Sequence, residues 1–183
     1  MSSMTVTFKD VEMRWKNFSG KSDDFNPQGK RFFHIVLNED MVNELRNVEL
    51  TTKSGKIVRG ANVKTHVPKN NEGDPMYTLK VLIGDFFPEE VIRVTPTNRM
   101  RLTEDTIGNL DREYIEKAKV QVTLSPYERP GNTGITAYCR KLAVWIKEDD
   151  FDEDFKDIPE ASHGAVQYKS NENMDEEDGD LPF

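Results

Sequence analysis

Apolar and polar residues alternate with a period of two through much of residues 1–147, the mark of strands with one buried face. In residues 5–11, Val6 and Phe8 fall on one side and Thr5, Thr7 and Lys9 on the other. A weaker alternation follows through Met13, Arg14, Trp15 and Lys16. Residues 30–37 form the clearest strand, with faces Arg31/Phe33/Ile35/Leu37 and Lys30/Phe32/His34/Val36. Residues 76–83 repeat the pattern, Tyr77, Leu79, Val81 and Ile83 alternating against Met76, Thr78, Lys80 and Leu82. A short strand at 91–95 is stopped by Pro96. Residues 119–125 and 135–146 are predicted strands joined by a Pro-Gly-Asn loop at 127–134.

The period changes after residue 37. Asn38 is placed to cap a helix, with Glu39 and Asp40 in its first turn and Met41, Val42 and Leu45 as its apolar stripe, ending near Arg46. Residues 48–52 and 56–67, separated by Lys53-Ser54-Gly55, read as a hairpin. Residues 18–29 and 68–75 are polar loops, and 84–90 break the strand pattern. Residues 103–118 are ambiguous, with Asp111 placed to cap a helix through Lys117. Many short strands, an early helix and long connecting loops predict an all-β class with one or two short helices. An elaborated oligonucleotide/oligosaccharide-binding barrel (OB-fold) fits that inventory, although strand counting alone suits an SH3-like barrel or a sandwich equally.

Charge divides the 183-residue chain in two. Residues 1–147 hold 23 Lys and Arg against 19 Asp and Glu, while residues 148–183 hold 2 against 14. The expected organisation is therefore a mildly basic domain, 1–147, followed by a disordered acidic tail, 148–183, poor in apolar residues. The whole-chain net charge of -8 conceals a body able to attract phosphate. No long apolar run predicts a membrane span, and residues 1–5 lack the character of a signal peptide. One cysteine, Cys139, leaves no internal disulfide or Cys-cluster zinc site, and a reducing, cytoplasmic setting is expected.

Single-stranded nucleic acid requires cations along its phosphates and flat rings for its unpaired bases. Lys30 and Phe32 share the non-core face of their strand, where Phe32 either stacks on a base or fills a second small core. Trp15, between Arg14 and Lys16, is either a stacking platform or a lid on the barrel end. Tyr138 and Arg140 alternate away from Ile135, Ala137 and Cys139, which makes Tyr138 a stacking candidate. Trp145 and Tyr77 read as packing residues, and Phe86-Phe87 as a barrel plug or a clamp. Arg31, Arg59, Lys64, Lys80, Arg99 and Arg101 complete the candidate phosphate-binding set, with Arg129 and Lys141 as further basic positions.

Three segments carry a family resemblance. The stretch Phe25-Asn26-Pro27-Gln28-Gly29-Lys30-Arg31-Phe32-Phe33 resembles the Gly-x-Arg-x-Phe strand start of tailed-phage single-stranded DNA-binding proteins. Gly134-Ile135-Thr136-Ala137-Tyr138-Cys139 resembles the Gly-x-x-Ala-Tyr-Leu stretch before their final strand. Asp180-Leu181-Pro182-Phe183, closing an acidic run that begins at Asp175, resembles the tip of bacterial single-stranded DNA-binding proteins. Phe32 stands where a polar residue is usual and Cys139 where leucine is commoner. The resemblance implies an OB-fold that coats single strands during replication, recombination and repair. It also implies a tip, Asp180, Leu181, Pro182 and Phe183, that docks on a polymerase, primase, helicase or exonuclease. Pro182 stiffens that tip, and Phe183 offers a ring together with a terminal carboxylate.

Other functions have less support. His34, His66 and His163 form no close-spaced metal pair, and no Gly-rich phosphate loop or GxSxG elbow is present. The carboxylate pairs Asp23/Asp24 and Glu89/Glu90 lie on loops and point apart. An enzyme is not expected, nor a metal or cofactor. The alternative is an interaction protein whose acidic tail mimics DNA and titrates a host enzyme. A homo-oligomer is left open.

Overall fold

The computed structural model describes residues 2–70 and 72–148; the expected acidic tail and its tip lie outside the described residues. In chain order the elements are β1 (Met4–Val11), β2 (Met13–Asn17), β3 (Arg31–Leu37), α1 (Glu39–Asn47), β4 (Glu49–Thr51), β5 (Ile57–Arg59) and β6 (Val63–His66). There follow β7 (Met76–Ile83), β8 (Glu90–Val94), β9 (Arg99–Arg101), a 3-10 helix (Ile107–Arg112), β10 (Ile115–Arg129) and β11 (Asn132–Ile146).

Pairing runs in the order β1-β10-β11-β7-β3-β2, with β6 added beside β7 and β8 and β9 beyond β11. A single residue, Glu12, separates β1 from β2. One stretch of chain thus pairs with β10 at one end of the path and with β3 at the other, and so draws the sheet round into a barrel. The bend falls at a register shift between Phe8 and Val11, where Asp10 takes a φ of 52°. Asp is among the few residues that adopt this left-handed conformation readily. Val36 N–H donates to the Glu12 carbonyl at 2.9 Å, which secures the turn against β3.

In β3 and β7 the core side is the one the alternation predicted, although His34 and Thr78, on the faces expected outside, are buried as well. Phe33, Ile35, Leu79, Val81, Val120, Val122 and Leu124 are buried in one apolar core. Phe18, assigned to a loop, is fully buried and stacks on Phe33 with ring centroids 5.4 Å apart. Asn38 caps α1 by accepting from Met41 N–H at 2.9 Å, and Val42 and Leu45 enter the core. Among the described residues no helix is long and apolar enough to cross a membrane.

Three expectations are corrected. The hairpin expected over 48–67 is only β4 with β5, whereas β6 crosses to pair with β7. Strands of three and four residues carry too little alternation to reveal their partners. Asp111 caps no helix running to Lys117. Its carboxylate accepts from Phe18 N–H at 2.7 Å and from Ser19 N–H and Oγ at 3.0 and 2.6 Å, and β10 already begins at Ile115. Most of the loop expected at 127–134 continues the ladder: Tyr127 pairs with Gly134 and Arg129 with Asn132, leaving a tight turn at Pro130-Gly131. Polar side chains there hid a pairing made by backbone groups.

Candidate nucleic-acid interface

Cross-strand register assembles the site on the outer face of β3, β7 and β11. Phe33, Val81 and Ala137 point into the core. Their neighbours Phe32, Leu82 and Tyr138 therefore point outward, and these three pair directly across the strands. His34 pairs with Lys80 in the same way. Lys80 Nζ sits 4.4 Å from the centroid of the Phe32 ring, a cation–π contact that fixes the ammonium over the sheet.

Lys30, Lys64, Lys80, Leu82, Arg129 and Tyr138 line a cavity of about 380 Å³. It adjoins one of about 500 Å³ that shares Lys30 and Tyr138 and adds Arg31. Lys30, Lys64 and Lys80 form no ion pair with any described residue, whereas most nearby arginines do. The Lys80 ammonium is held below its ordinary pKa, first by burial and then by the charges of Lys64 and Lys30. Cations that repel one another this way are relieved by an incoming anion.

Trp15 is aimed at this face by a β-bulge. Arg14 pairs with His34 and Asn17 with Phe32, so Trp15 and Lys16 together oppose Phe33 alone. Trp15 takes a φ of 46°, a strained conformation for a bulky side chain. Its ring, half exposed, stands edge-on to His34 at 5.3 Å and tilted over His66 at 4.8 Å. Trp15 thus presents a partly open surface above two imidazoles. His66 Nε2 lies 2.9 Å from Thr78 Oγ1, while His34, 8% exposed, has no partner for Nδ1 among the described residues.

Burial, then Lys64, Lys80 and His66, push the His34 pKa down to about 4 from 6.5. Its imidazole is neutral at pH 7. Between about pH 6.5 and 4 the unfolded chain takes up a proton that the folded one refuses, so this group lowers stability as pH falls through that window. Denaturant melts of wild type and His34→Gln across those pH values should show the wild type losing stability faster. Parallel curves would mean that His34 is protonated equally in both states.

Tyr138 is 40% exposed, and its ring lies against the backbone of Gly84. Across a cavity of about 450 Å³ from it stands Phe86, 93% exposed, while Phe87 turns inward against the core. The two glycines of the sequence motifs have steric reasons. Gly29 (φ 64°) and Gly20 (φ 72°) face each other at the neck of the 20–29 loop, where a Cβ on either would lie within 2.9 Å of the other's carbonyl oxygen. Any side chain at Gly134 would overlap the Tyr127 ring that covers it.

The remaining candidates are dispersed. Arg31 stands at the rim, 3.5 Å from Glu104, and Arg140 binds Glu89 at 3.0 Å on the Phe86 side. Arg59 pairs with Glu49 on the separate β4–β5 hairpin. Arg99 and Arg101 lie on β9, two strands beyond β11, with Arg101 held by Glu90 at 2.8 Å. The trough thus brings together Trp15, Lys30, Phe32, Lys64, Lys80 and Tyr138, and does not include Arg59, Arg99 or Arg101. Sequence reasoning missed His34, His66 and Leu82. Their outward phase was visible for His34 and Leu82, but nothing in the sequence reveals the bulge that sets Trp15 over the imidazoles. Cys139, 7% exposed, has its thiol pKa pushed up to about 12 by burial and is chemically quiet.

The arrangement offers ammonium groups without an ion-pair partner among the described residues, flanked by open aromatic faces along one side of a barrel. The fold is found elsewhere. The single-stranded DNA-binding protein from bacteriophage Enc34 in complex with ssDNA superposes with a TM-score of 0.51 at 12% identity, covering 79% of this chain and 88% of that one. That likeness shows the fold, the elaborated OB barrel expected from the strand inventory. A second structure of the Enc34 protein gives a TM-score of 0.48 at 13% identity over 92% of this chain and 89% of that one. The bacteriophage T7 protein gp2.5 gives 0.37 at 10% identity over 88% and 99%. Among curated proteins none matches the chain. A family model for a phage ssDNA-binding domain matches residues 2–180.

Proposed function

The chain belongs to the phage single-stranded DNA-binding domain family, and from that premise we propose that its β3–β7–β11 trough binds single strands. The observation that carries this reading is the grouping of Lys30, Lys64 and Lys80, none ion-paired to a described residue, about one cavity beside the half-exposed Tyr138, with Lys80 over the Phe32 ring. Phosphates dock on the lysines and release counterions, so affinity falls steeply with salt. Bases stack on Tyr138 and on the open side of Trp15, with little sequence preference.

Tyr138→Ala tests the stacking. In proteins of this kind each stacked base contributes about 1–3 kcal/mol. A loss of that size in oligothymidine affinity, with an unchanged unfolding midpoint, is expected because Tyr138 is not part of the core. Unchanged affinity would remove Tyr138 from the interface.

We assign the coated strands to phage DNA replication, recombination and repair in the bacterial cytoplasm. Residues 148–183 are the docking leash for replication enzymes in this reading. Asp180, Leu181, Pro182 and Phe183 supply an apolar hook on a strongly anionic segment. Removing residues 148–183 takes away 14 acidic and 2 basic groups. The truncated protein should bind DNA at least as tightly as the full chain and lose its capture of replication enzymes. Markedly weaker DNA binding by the truncation would contradict this division of roles.

A further inference from the structure

A second basic groove lies on the outer wall of the barrel, away from the lysines of the trough. It spans β1, β10, β11 and β8, has a volume of about 480 Å³, and is lined by Lys9, Lys119 and Lys141 around Gln121. Lys9 and Lys119 form no ion pair with a described residue, and Lys141 reaches only Glu89, at 3.8 Å. The sequence placed Lys9 on the polar side of β1 with no role.

Strand register links this groove to the trough along the outward face of β10 and β11. Tyr138 borders the trough and also the cavity beneath Phe86, which reaches Thr123 on β10. Thr123 pairs with Tyr138, and Gln121, two residues along on the same outward face, pairs with Lys141. The step from Tyr138 to Lys141 is possible because β11 bulges: Val122 pairs with Cys139 and Gln121 with Lys141, which leaves Arg140 as the extra residue. Arg140 and Lys141 are both exposed as a result, where strict alternation would have turned one of them inward. A polyanion leaving Tyr138 along the outward residues of β10 and β11 meets Thr123, Arg140, Gln121 and Lys141 in turn. Of the carboxylates on this path, Glu89 and the groove-lining Glu90 are already engaged by Arg140 and Arg101, and Asp85 stands on the wall of the cavity beneath Phe86.

We propose that the Lys9/Lys119/Lys141 groove is an exit track for the bound single strand, holding the phosphates of nucleotides beyond those stacked at Tyr138. The inference rests on the trough reading above. Continuity with the trough favours the same DNA strand over an acidic protein segment as the occupant. A single barrel would then occlude more nucleotides than the trough alone, toward the upper part of the range of about 4–16 per OB-fold.

The test compares the full chain with the triple variant Lys9→Gln/Lys119→Gln/Lys141→Gln on two ligands. One is an oligothymidine of about 4–6 nucleotides and the other is longer than about 16. The variant should match wild type on the short ligand. On the long one it should bind more weakly, with the slope of log Kobs against log salt reduced by about 2, from three contacts at about 0.7 each. Equal binding of wild type and variant to the long ligand would overturn the track and leave the groove to an acidic partner. Equal losses on both ligands would overturn it too, since a diffuse field makes no distinction of length. Failure of wild type to bind either ligand would instead defeat the trough itself.

Discussion

Replacing Lys30, Lys64 and Lys80 together with alanine is expected to reduce the slope of log Kobs against log salt by about 2 for single-stranded DNA. The reduction follows from three phosphate contacts releasing about 0.7 counterion each on a single strand. These three residues line the trough and have no described carboxylate partner. An arginine already paired gives up one anion to gain another, so its exchange with phosphate yields little. Arg59, held by Glu49, and Arg101, held by Glu90, are therefore the controls, and their alanine variants should barely move the slope. Lys80 adds a second reason. Its ammonium is crowded by Lys64 and Lys30 and held on the Phe32 ring, so the site is charged and oriented before any DNA arrives. Preorganisation of this kind reduces the ordering cost of binding. Titrations at several salt concentrations, following the emission of Trp15 and Trp145, read the slope directly. A triple variant with wild-type slope would place the phosphates elsewhere.

The largest effect on stability is expected from Phe33→Ala. This ring is fully buried and stacked on Phe18, and its removal should lower stability by about 3–5 kcal/mol. Phe32→Ala, one residue away, should behave oppositely. Phe32 is only partly buried and faces the trough, where its ring supports Lys80 and meets His34 edge-on at 5.9 Å. Its loss should cost little in a urea melt, about 1 kcal/mol as for an ordinary partly buried position. It should weaken DNA binding through the misplaced ammonium. Adjacent residues with opposite phenotypes are what a strand of period two demands. If Phe32→Ala destabilised the protein as severely as Phe33→Ala, Phe32 would belong to a core and the trough would lose its floor.

The sequence revealed the parts of this molecule that alternation controls. Residues 30–37 and 76–83 could be phased because one face of each is largely apolar and buried, and that phase put Phe32, Lys80 and Leu82 outside, though it did not show that His34 and Thr78 on the other face are covered. Asn38 announced α1 because an Asn ahead of two acidic residues satisfies free backbone donors. Features set by distant partners were hidden. Nothing local distinguishes β6, which leaves β5 to pair with β7, or Asp111, whose carboxylate caps the Phe18–Ser19 backbone far back in the chain. The site was legible as a set of cations and rings but not as a selection among them. Arg59, Arg99 and Arg101 look no different in sequence from Lys64 and Lys80. The separation comes from register and from which cations already face a carboxylate. The bulges at Trp15 and Arg140 were invisible for a similar reason, since each depends on the strand opposite.

The central claim is that single strands run across β3, β7 and β11 with their bases on the outward rings. Photocrosslinking the full chain to oligothymidine carrying 5-iodouracil, followed by mapping of the modified peptides, tests it most directly. Adducts are expected at Tyr138 and Trp15. Adducts confined to exposed rings off the trough, such as Tyr114, with none at Tyr138 or Trp15, would contradict the account.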